Sequence, residues 1–267
     1  MTDAAPSLPA EDDRHRNARE ALAQRLWGDG YLSLGQPFIA SFLNMLRFSA
    51  ANSLLNIGAG LGGPTRELHA LTGAWATGVE ADPALAPRAM ERSKQLGVAR
   101  HAAVKRFNPE APKFPGRGYD GIFAVDAFYP VRRKEELFAA TAPLLKVDGR
   151  LMFVDLMLGD ATDGGAALKR WYAGERLRPQ LGTAARTADV LKKQHLHLVR
   201  AEDITQRYRT EVMQGWMRFL AETTRAQIVG TFADVLVSEC AAWFNRMKAM
   251  ETGGLRAYWF DAERLPT

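Results

Sequence analysis

The apolar and polar positions of this chain fall into two rhythms that change near residue 158. Between residues 52 and 157, short apolar runs alternate with stretches in which apolar residues recur every three or four positions. The runs 52–57, 74–80, 101–106, 119–125 and 150–157 predict strands. The stretches 64–72, 82–96 and 133–145 predict helices, with Pro64 and Pro83 in two of the opening turns. Strand and helix taking turns in this way predicts a parallel sheet with helices on both faces. Upstream, Glu11 to Trp27 has helical periodicity and stops at Gly28-Asp29-Gly30, and Gln36 to Phe48 is a second apolar helix. After Leu158 the rhythm changes: a loop at Gly159 to Gly165, helices over Ala166 to Arg178 and Ala184 to Lys193, and a strand over His195 to Ile204. A long helical tract from about Tyr208 to Ala249, broken near Gly230, precedes a closing strand at Leu255 to Phe260. The chain thus divides into an N-terminal helical segment (1–50), an alternating core (51–158) and a largely helical remainder that adds the last strands (159–267).

Length and charge narrow the class. At 267 residues and 47% hydrophobic, the chain can bury a large core, and one α/β domain with an added cap is expected. The net charge of +5 invites a nucleic-acid reading, but the arginines are interspersed with acids, as at Arg200, Glu202 and Asp203. The cluster Arg132-Arg133-Lys134 is followed at once by Glu135-Glu136, which reads as a solvated helix start rather than a phosphate track. No nucleic-acid partner is expected. The single cysteine, Cys240, excludes a disulfide scaffold and a cysteine zinc site, and fits a reducing compartment. Met1 to Arg19 has no apolar signal region, and no run approaches the roughly 18 apolar residues of a membrane span, so a cytoplasmic chain is expected. His195 and His197 alternate along a predicted strand and point to opposite faces, so they form no metal pair.

The chemistry concentrates at Leu54-Leu55-Asn56-Ile57-Gly58-Ala59-Gly60-Leu61-Gly62-Gly63-Pro64, followed by Gly78-Val79-Glu80. An apolar strand ends in a glycine-dense turn, a helix opens at Pro64, and an acid closes the next strand. Glycines let the backbone turn sharply and approach a ligand, and the helix opening offers unpaired N–H groups. Glu80 can accept hydrogen bonds from two ribose hydroxyls, so a nucleoside-containing cofactor is expected. Gly58, Gly60 and Gly63 also satisfy the G-x-G-x-x-G spacing of dinucleotide enzymes, and the glycines alone leave a nicotinamide-dependent oxidoreductase open.

The order of the downstream segments resembles a class I S-adenosylmethionine-dependent methyltransferase. Asn56-Ile57-Gly58-Ala59-Gly60-Leu61-Gly62 is similar to the family's first motif, Glu80 to its ribose-binding acid, and Leu144-Leu145-Lys146-Val147-Asp148-Gly149-Arg150-Leu151 to its turn into the fifth strand. Asn108, twelve residues before Asp120, matches the adenine-facing position. The resemblance implies an α/β, Rossmann-like, seven-stranded and mostly parallel sheet, with an N-terminal helical lid and a helical cap insertion. It implies S-adenosylmethionine as cofactor, held by Asn56, Gly58, Ala59, Gly60, Gly62, Glu80, Ala81, Asn108, Pro109 and Asp126. The family's usual acids are replaced by Asn56 and Asn108, which bring no negative charge toward the cofactor. A non-catalytic S-adenosylmethionine-binding protein is therefore the alternative.

Asp126-Ala127-Phe128-Tyr129 matches the end of the fourth strand, where the family's acceptor site begins. Trp27-Gly28-Asp29-Gly30-Tyr31-Leu32-Ser33-Leu34-Gly35 and Ala201-Glu202-Asp203-Ile204-Thr205 resemble segments of small-molecule methyltransferases that act on amines, such as the phosphoethanolamine and sarcosine/dimethylglycine enzymes. By that likeness Asp126 and Tyr129 face the acceptor and Tyr31 closes over it. Pro130 stands where the phosphoethanolamine enzymes carry a histidine. The expected partner is a small molecule methylated at an amine or hydroxyl. Tyr172, Arg176 and Arg178 are candidates for binding an acidic group of it, with a solvated helix face as their other reading. Trp216, Phe219, Trp243 and Phe244 sit at helical spacings that predict core rather than pocket.

Overall fold

The computed structural model describes residues 12–43, 48–160 and 165–266. Expectations for residues 1–11, 44–47, 161–164 and 267 lie outside the described residues. Within them, β1 (Ser53–Ile57), β2 (Trp75–Glu80), β3 (Ala102–Arg106), β4 (Tyr119–Val125), β5 (Leu145–Leu158), β6 (Leu196–Asp203) and β7 (Leu255–Arg264) form one sheet in the order β3-β2-β1-β4-β5-β7-β6. β1 pairs in parallel with β2 and β4, β2 with β3, and β4 with β5, while β7 runs antiparallel to both β5 and β6. The parallel half is what the alternation predicts, and the whole is the Rossmann-like, mostly parallel seven-stranded sheet that the resemblance implies.

Period-two alternation along the strands feeds two cores. On β5, Leu151, Phe153 and Met157 enter one cluster with Leu137, Phe138, Val190 and Leu191 from helices α5 (Lys134–Thr141) and α7 (Ala184–Lys193). Met152, Val154 and Leu156 enter the other, with side chains of α1 (Asp13–Trp27), α2 (Gln36–Leu43), α8 (Thr205–Glu222) and α9 (Thr231–Glu251). The remaining helices are α3 (Gly63–Thr72) and α4 (Leu85–Gln95), each following a strand of the parallel half, and α6 (Gly165–Gly174), which packs on α9. Trp27 of α1 meets Trp243 of α9 with ring centroids 5.2 Å apart. On its other flank the Trp27 ring lies against Gly215 of α8, leaving no room for a Cβ there.

Several element bounds differ from the periodicity for identifiable reasons. The helix expected over 133–145 stops at Thr141 and finishes as a 3₁₀ turn at Ala142–Leu144, because Pro143 cannot continue the α ladder. β5 starts at Leu145, earlier than expected, and absorbs a register shift where Asp148 takes φ +63°. β7 runs past Phe260 to Arg264. Its polar end hides from hydropathy, but buried Asp261 accepts from Arg150 Nε at 2.9 Å across the β5 pairing. His195 sits in the turn before β6 at φ +58° rather than in the strand. The helical tract divides into α8 and α9 around Gly230, which takes φ +55°. Phe219 and Trp243 are buried and Trp216 packs partly buried against the core, but Phe244 is 67% exposed and is no core residue. Among the described residues no helix is long and apolar enough to cross a membrane.

Candidate active site

At the carboxyl ends of β1, β2 and β4 the sheet opens into a cavity of about 600 Å³, roofed by α1 and closed on one flank by α9. Ligands of open α/β sheets bind at this edge, where the strand order reverses between β1 and β4.

The β1–α3 turn forms the floor. Gly58 takes φ +77° and Gly60 φ +55°, and the Gly58 and Ala59 amides donate to Val79 O at 2.9 and 3.0 Å. These contacts pin the turn to β2. Asn56, 1% exposed, donates from Nδ2 to Thr65 Oγ1 at 2.9 Å, tying β1 to the first turn of α3. Glu80 ends β2 with each oxygen taking one backbone amide: Oε2 from Gly60 at 2.7 Å and Oε1 from Asp82 at 2.8 Å. Burial raises the Glu80 carboxyl above its ordinary range, and these amides oppose the rise. Each oxygen keeps lone-pair capacity for a further donor. A vicinal diol fits that arrangement.

At the other end of the cavity, Asp126 follows β4 in a left-handed conformation, φ +50°. Such a backbone costs a non-glycine residue about 1–3 kcal/mol and persists only where its surroundings enforce it. Here its amide donates to Val154 O at 2.9 Å. Tyr208 Oη donates to Asp126 Oδ2 at 2.7 Å, and Arg246 Nη1 lies 3.6 Å from the same oxygen. Oδ1 is buried and has no hydrogen-bond partner. Burial raises the Asp126 carboxyl, and the Arg246 charge and the Tyr208 and Ser33 hydroxyls act against the rise.

Arg246 joins a second carboxylate to the first. Its Nη2 donates to Glu175 Oε2 at 2.7 Å and its Nη1 donates to Tyr208 Oη at 3.1 Å. Trp171 Nε1 also donates to Glu175 Oε2, at 2.8 Å, and Tyr129 Oη donates to Oε1 at 3.3 Å. The guanidinium carbon lies 4.7 Å from the Trp243 ring centroid and 5.8 Å from that of Tyr129. Buried among acids and aromatic faces, Arg246 is held protonated, well above its ordinary value.

Asp155, next to this network on β5, is fully buried, with only the Leu156 and Tyr129 backbone and the Lys134 charge acting to keep it ionised. Burial, and then the Asp126 charge, push Asp155 up to about 8. The folded chain therefore keeps a proton that the unfolded chain releases near its ordinary value of 3.8. The stability tied to that proton is complete at low pH and is lost as pH rises toward 8. Urea unfolding at pH 5, 7 and 9 is expected to show Asp155→Asn gaining stability over wild type as pH increases. A difference independent of pH would exclude a proton on Asp155.

Of the residues singled out from the sequence, Asn56, Gly58, Ala59, Gly60, Glu80, Ala81, Pro109, Asp126 and Tyr129 all line the cavity. Three do not. Gly62 caps α3 at φ +85° and donates its amide to Ala59 O at 2.7 Å. Asn108 is exposed and turns its side chain back onto its own loop, where Oδ1 accepts from the Glu110 amide at 3.0 Å; Phe107 and Pro109 supply the wall instead. Tyr31 is buried against the Gly63 backbone, its hydroxyl without a partner and in the field of Glu67 and Arg66. Its neighbours Leu32 and Ser33 reach the cavity in its place, Leu32 covering Gly60. Of the cap candidates, Arg176 lines the cavity and Tyr172 and Arg178 do not. No motif in the sequence marks Glu175, Tyr208 or Arg246 as a functional residue. Arg246 did carry a signal: a charged residue on the stripe Trp243, Ala249 and Met250 that α9 buries. Among the described residues, no three His, Cys, Asp or Glu side chains group in a way that could hold a metal ion.

The family model described as "Methyltransferase domain" matches residues 24–210. Among solved structures, phosphoethanolamine N-methyltransferase 2 of Haemonchus contortus, in complex with S-adenosyl-L-methionine, superposes with a TM-score of 0.79 at 17% identity, over 94% of this chain and 57% of that one. A Galdieria sulphuraria protein assigned as a sarcosine dimethylglycine methyltransferase does so with a TM-score of 0.77 at 18% identity, over 95% and 99%. Sterol 24-C-methyltransferase ERG6A of Gibberella zeae is 22% identical over 148 residues, 51% of this chain. The match spans only 39% of that curated relative's length. At such identities the solved structures show a shared fold.

Proposed function

The chain belongs to the methyltransferase-domain family, and from that premise we propose that it transfers a methyl group from S-adenosylmethionine to a nitrogen or oxygen of a small molecule. The observation that carries this reading is Asp126: a buried, backbone-strained carboxylate lining the cavity with one oxygen unpartnered. Leaving a buried acceptor unmet costs about 1–3 kcal/mol, a cost that an incoming N–H or O–H donor removes.

The residues present fit an adenosyl cofactor. The Gly58–Gly60 turn admits a close approach, the two Glu80 oxygens suit the ribose hydroxyls, and Ala81, Phe107 and Pro109 provide flat, largely apolar walls for a base. When bound, S-adenosylmethionine supplies an activated methyl group with a neutral thioether as leaving group. The protein's part is to orient the acceptor and exclude water. Asp126 Oδ1 accepts the hydrogen bond of the acceptor N–H or O–H and takes its proton where the acceptor arrives protonated. Tyr208 and Arg246 fix the other oxygen, so the carboxylate cannot rotate away. Leu22, Leu26 and Trp243 wall the reacting end with apolar surface. Orientation of this kind contributes roughly 7–11 kcal/mol to a bimolecular transfer.

Asn56, which brings no charge to the first motif, favours a second reading as an adenosyl-binding protein without turnover. Calorimetric titration with S-adenosylmethionine, S-adenosylhomocysteine and NAD, followed by a screen of amine and phenol acceptors, separates the two. We expect both adenosyl ligands to bind, NAD not to bind, and S-adenosylhomocysteine to be released with an acceptor. Adenosyl binding without release across the screen would favour the second reading. No adenosyl binding would end both.

A further inference from the structure

We propose that the cap end of the cavity rejects anionic acceptors, so that the acceptor is an apolar amine or alcohol bearing neither carboxylate nor phosphate; this rests on the methyl-transfer reading above. The argument is one of charge. Guanidiniums are the groups that recognise a carboxylate or phosphate in such a site. Three line the cavity, those of Arg19, Arg176 and Arg246. Each has an acidic partner or neighbour, Arg246 inside the protein and Arg176 at the cavity mouth, where its side chain is 40% exposed. Arg246 is held between Glu175 and Asp126, with 8% of its surface exposed. Arg176 Nη1 stands 4.0 Å from Glu239 Oε1, and Glu239 also lines the cavity. Arg19 lies in the field of Glu20 and interacts within the chain.

Carboxylates outnumber guanidiniums six to three around the cavity wall. An anionic acceptor would have to displace Glu175 from a buried, desolvated pair while lying beside Asp126. Both the lost pairing and the like-charge contact oppose it. The rest of that end is apolar: Leu22, Leu26, Trp27, Ile39, Leu177 and Trp243. The wall thus favours a hydrophobic body with a single donor group placed beside Asp126. Glu175 and Glu239 act as specificity-determining residues, because they cancel the charges that an anion would otherwise use.

The test compares benzoate with benzyl alcohol, which share a ring and differ in the anion. Each is titrated into the S-adenosylhomocysteine complex of the full chain and followed by ligand-observed NMR, which reads weak binding. Wild type is compared with Glu175→Gln/Glu239→Gln, in which both glutamines keep the shape and drop the charge. Wild type is expected to prefer the alcohol, and the double variant to gain about tenfold or more for benzoate relative to it, the worth of a charge-assisted contact. Should the double variant fail to fold, Glu239→Gln alone is expected to show the gain through Arg176. Benzoate binding to wild type as tightly as the alcohol, or no gain in the variants, overturns the proposal. Titration with S-adenosylhomocysteine alone separates the two layers. No binding there refutes the methyl-transfer reading, while the benzoate comparison on the ligand-free chain still reads the charge argument.

Discussion

An Asp126→Asn chain is expected to fold, to bind S-adenosylhomocysteine much as wild type does, and to turn over about 10²–10⁴ times more slowly, the usual weight of a positioned proton acceptor. Asparagine keeps the shape of the side chain and can still accept from Tyr208. What it loses is the negative charge paired with Arg246 and the capacity to hold a proton. Burial already disfavours the charged form at this position, so the neutral isostere relieves desolvation even as it forfeits the ion pair. Stability should therefore move little compared with turnover. Release of S-adenosylhomocysteine, measured with the acceptor that wild type methylates fastest, reads the first quantity, and urea unfolding reads the second. Turnover equal to wild type would remove Asp126 from the reacting end of the cavity.

The second large effect falls on stability. Arg246→Met is expected to cost about 3–5 kcal/mol, because removing one member of a buried ionic cluster strands the others without a counter-charge. Asp126 and Glu175 both lose their guanidinium, and Tyr208 loses a donor. The loss should depend on pH with a definite sign. Without Arg246 the Asp126 carboxyl shifts further upward, so the variant carries the full penalty at high pH and regains stability as acid protonates the group. Unfolding compared at pH 5.5 and pH 8 should show the larger deficit at pH 8. Arg246→Lys should fall between, since it keeps a charge but cannot bridge Tyr208 and Glu175 with one planar fork. A deficit of the same size at both pH values would mean that packing against Trp243 and Tyr129, not charge, is what Arg246 supplies.

The glycine-turn end of this cavity was legible in the sequence, and the end around Asp126 and Arg246 largely was not. The floor is local: Asn56, Gly58 and Gly60 lie within five residues, and a glycine-dense strand-to-helix turn has few structural alternatives. α7 was readable to the residue, because Thr183 caps it and its buried Thr187, Val190 and Leu191 keep helical spacing. The buried ionic network gathers Asp126, Glu175, Tyr208 and Arg246 from four separate segments across 120 residues, and each alone resembles an ordinary polar position. Two side chains that the resemblance singles out lie off the cavity wall for local reasons. Asn108 satisfies its own turn, and the chain reversals at Gly28 and Gly30 swing Tyr31 against α3 while Leu32 and Ser33 take the wall.

The place of β7 also bears on how the chain is made. Leu255–Arg264 lies between β5 and β6, yet it is synthesised after both. While the polypeptide emerges from the ribosome, β5 waits with an open, apolar edge for nearly a hundred further residues, and β6 has no strand to lie against. A ribosome stalled inside α9 would leave a nascent chain whose parallel half is complete and whose β5 edge is exposed, a substrate for chaperones or for pairing with a neighbouring nascent chain.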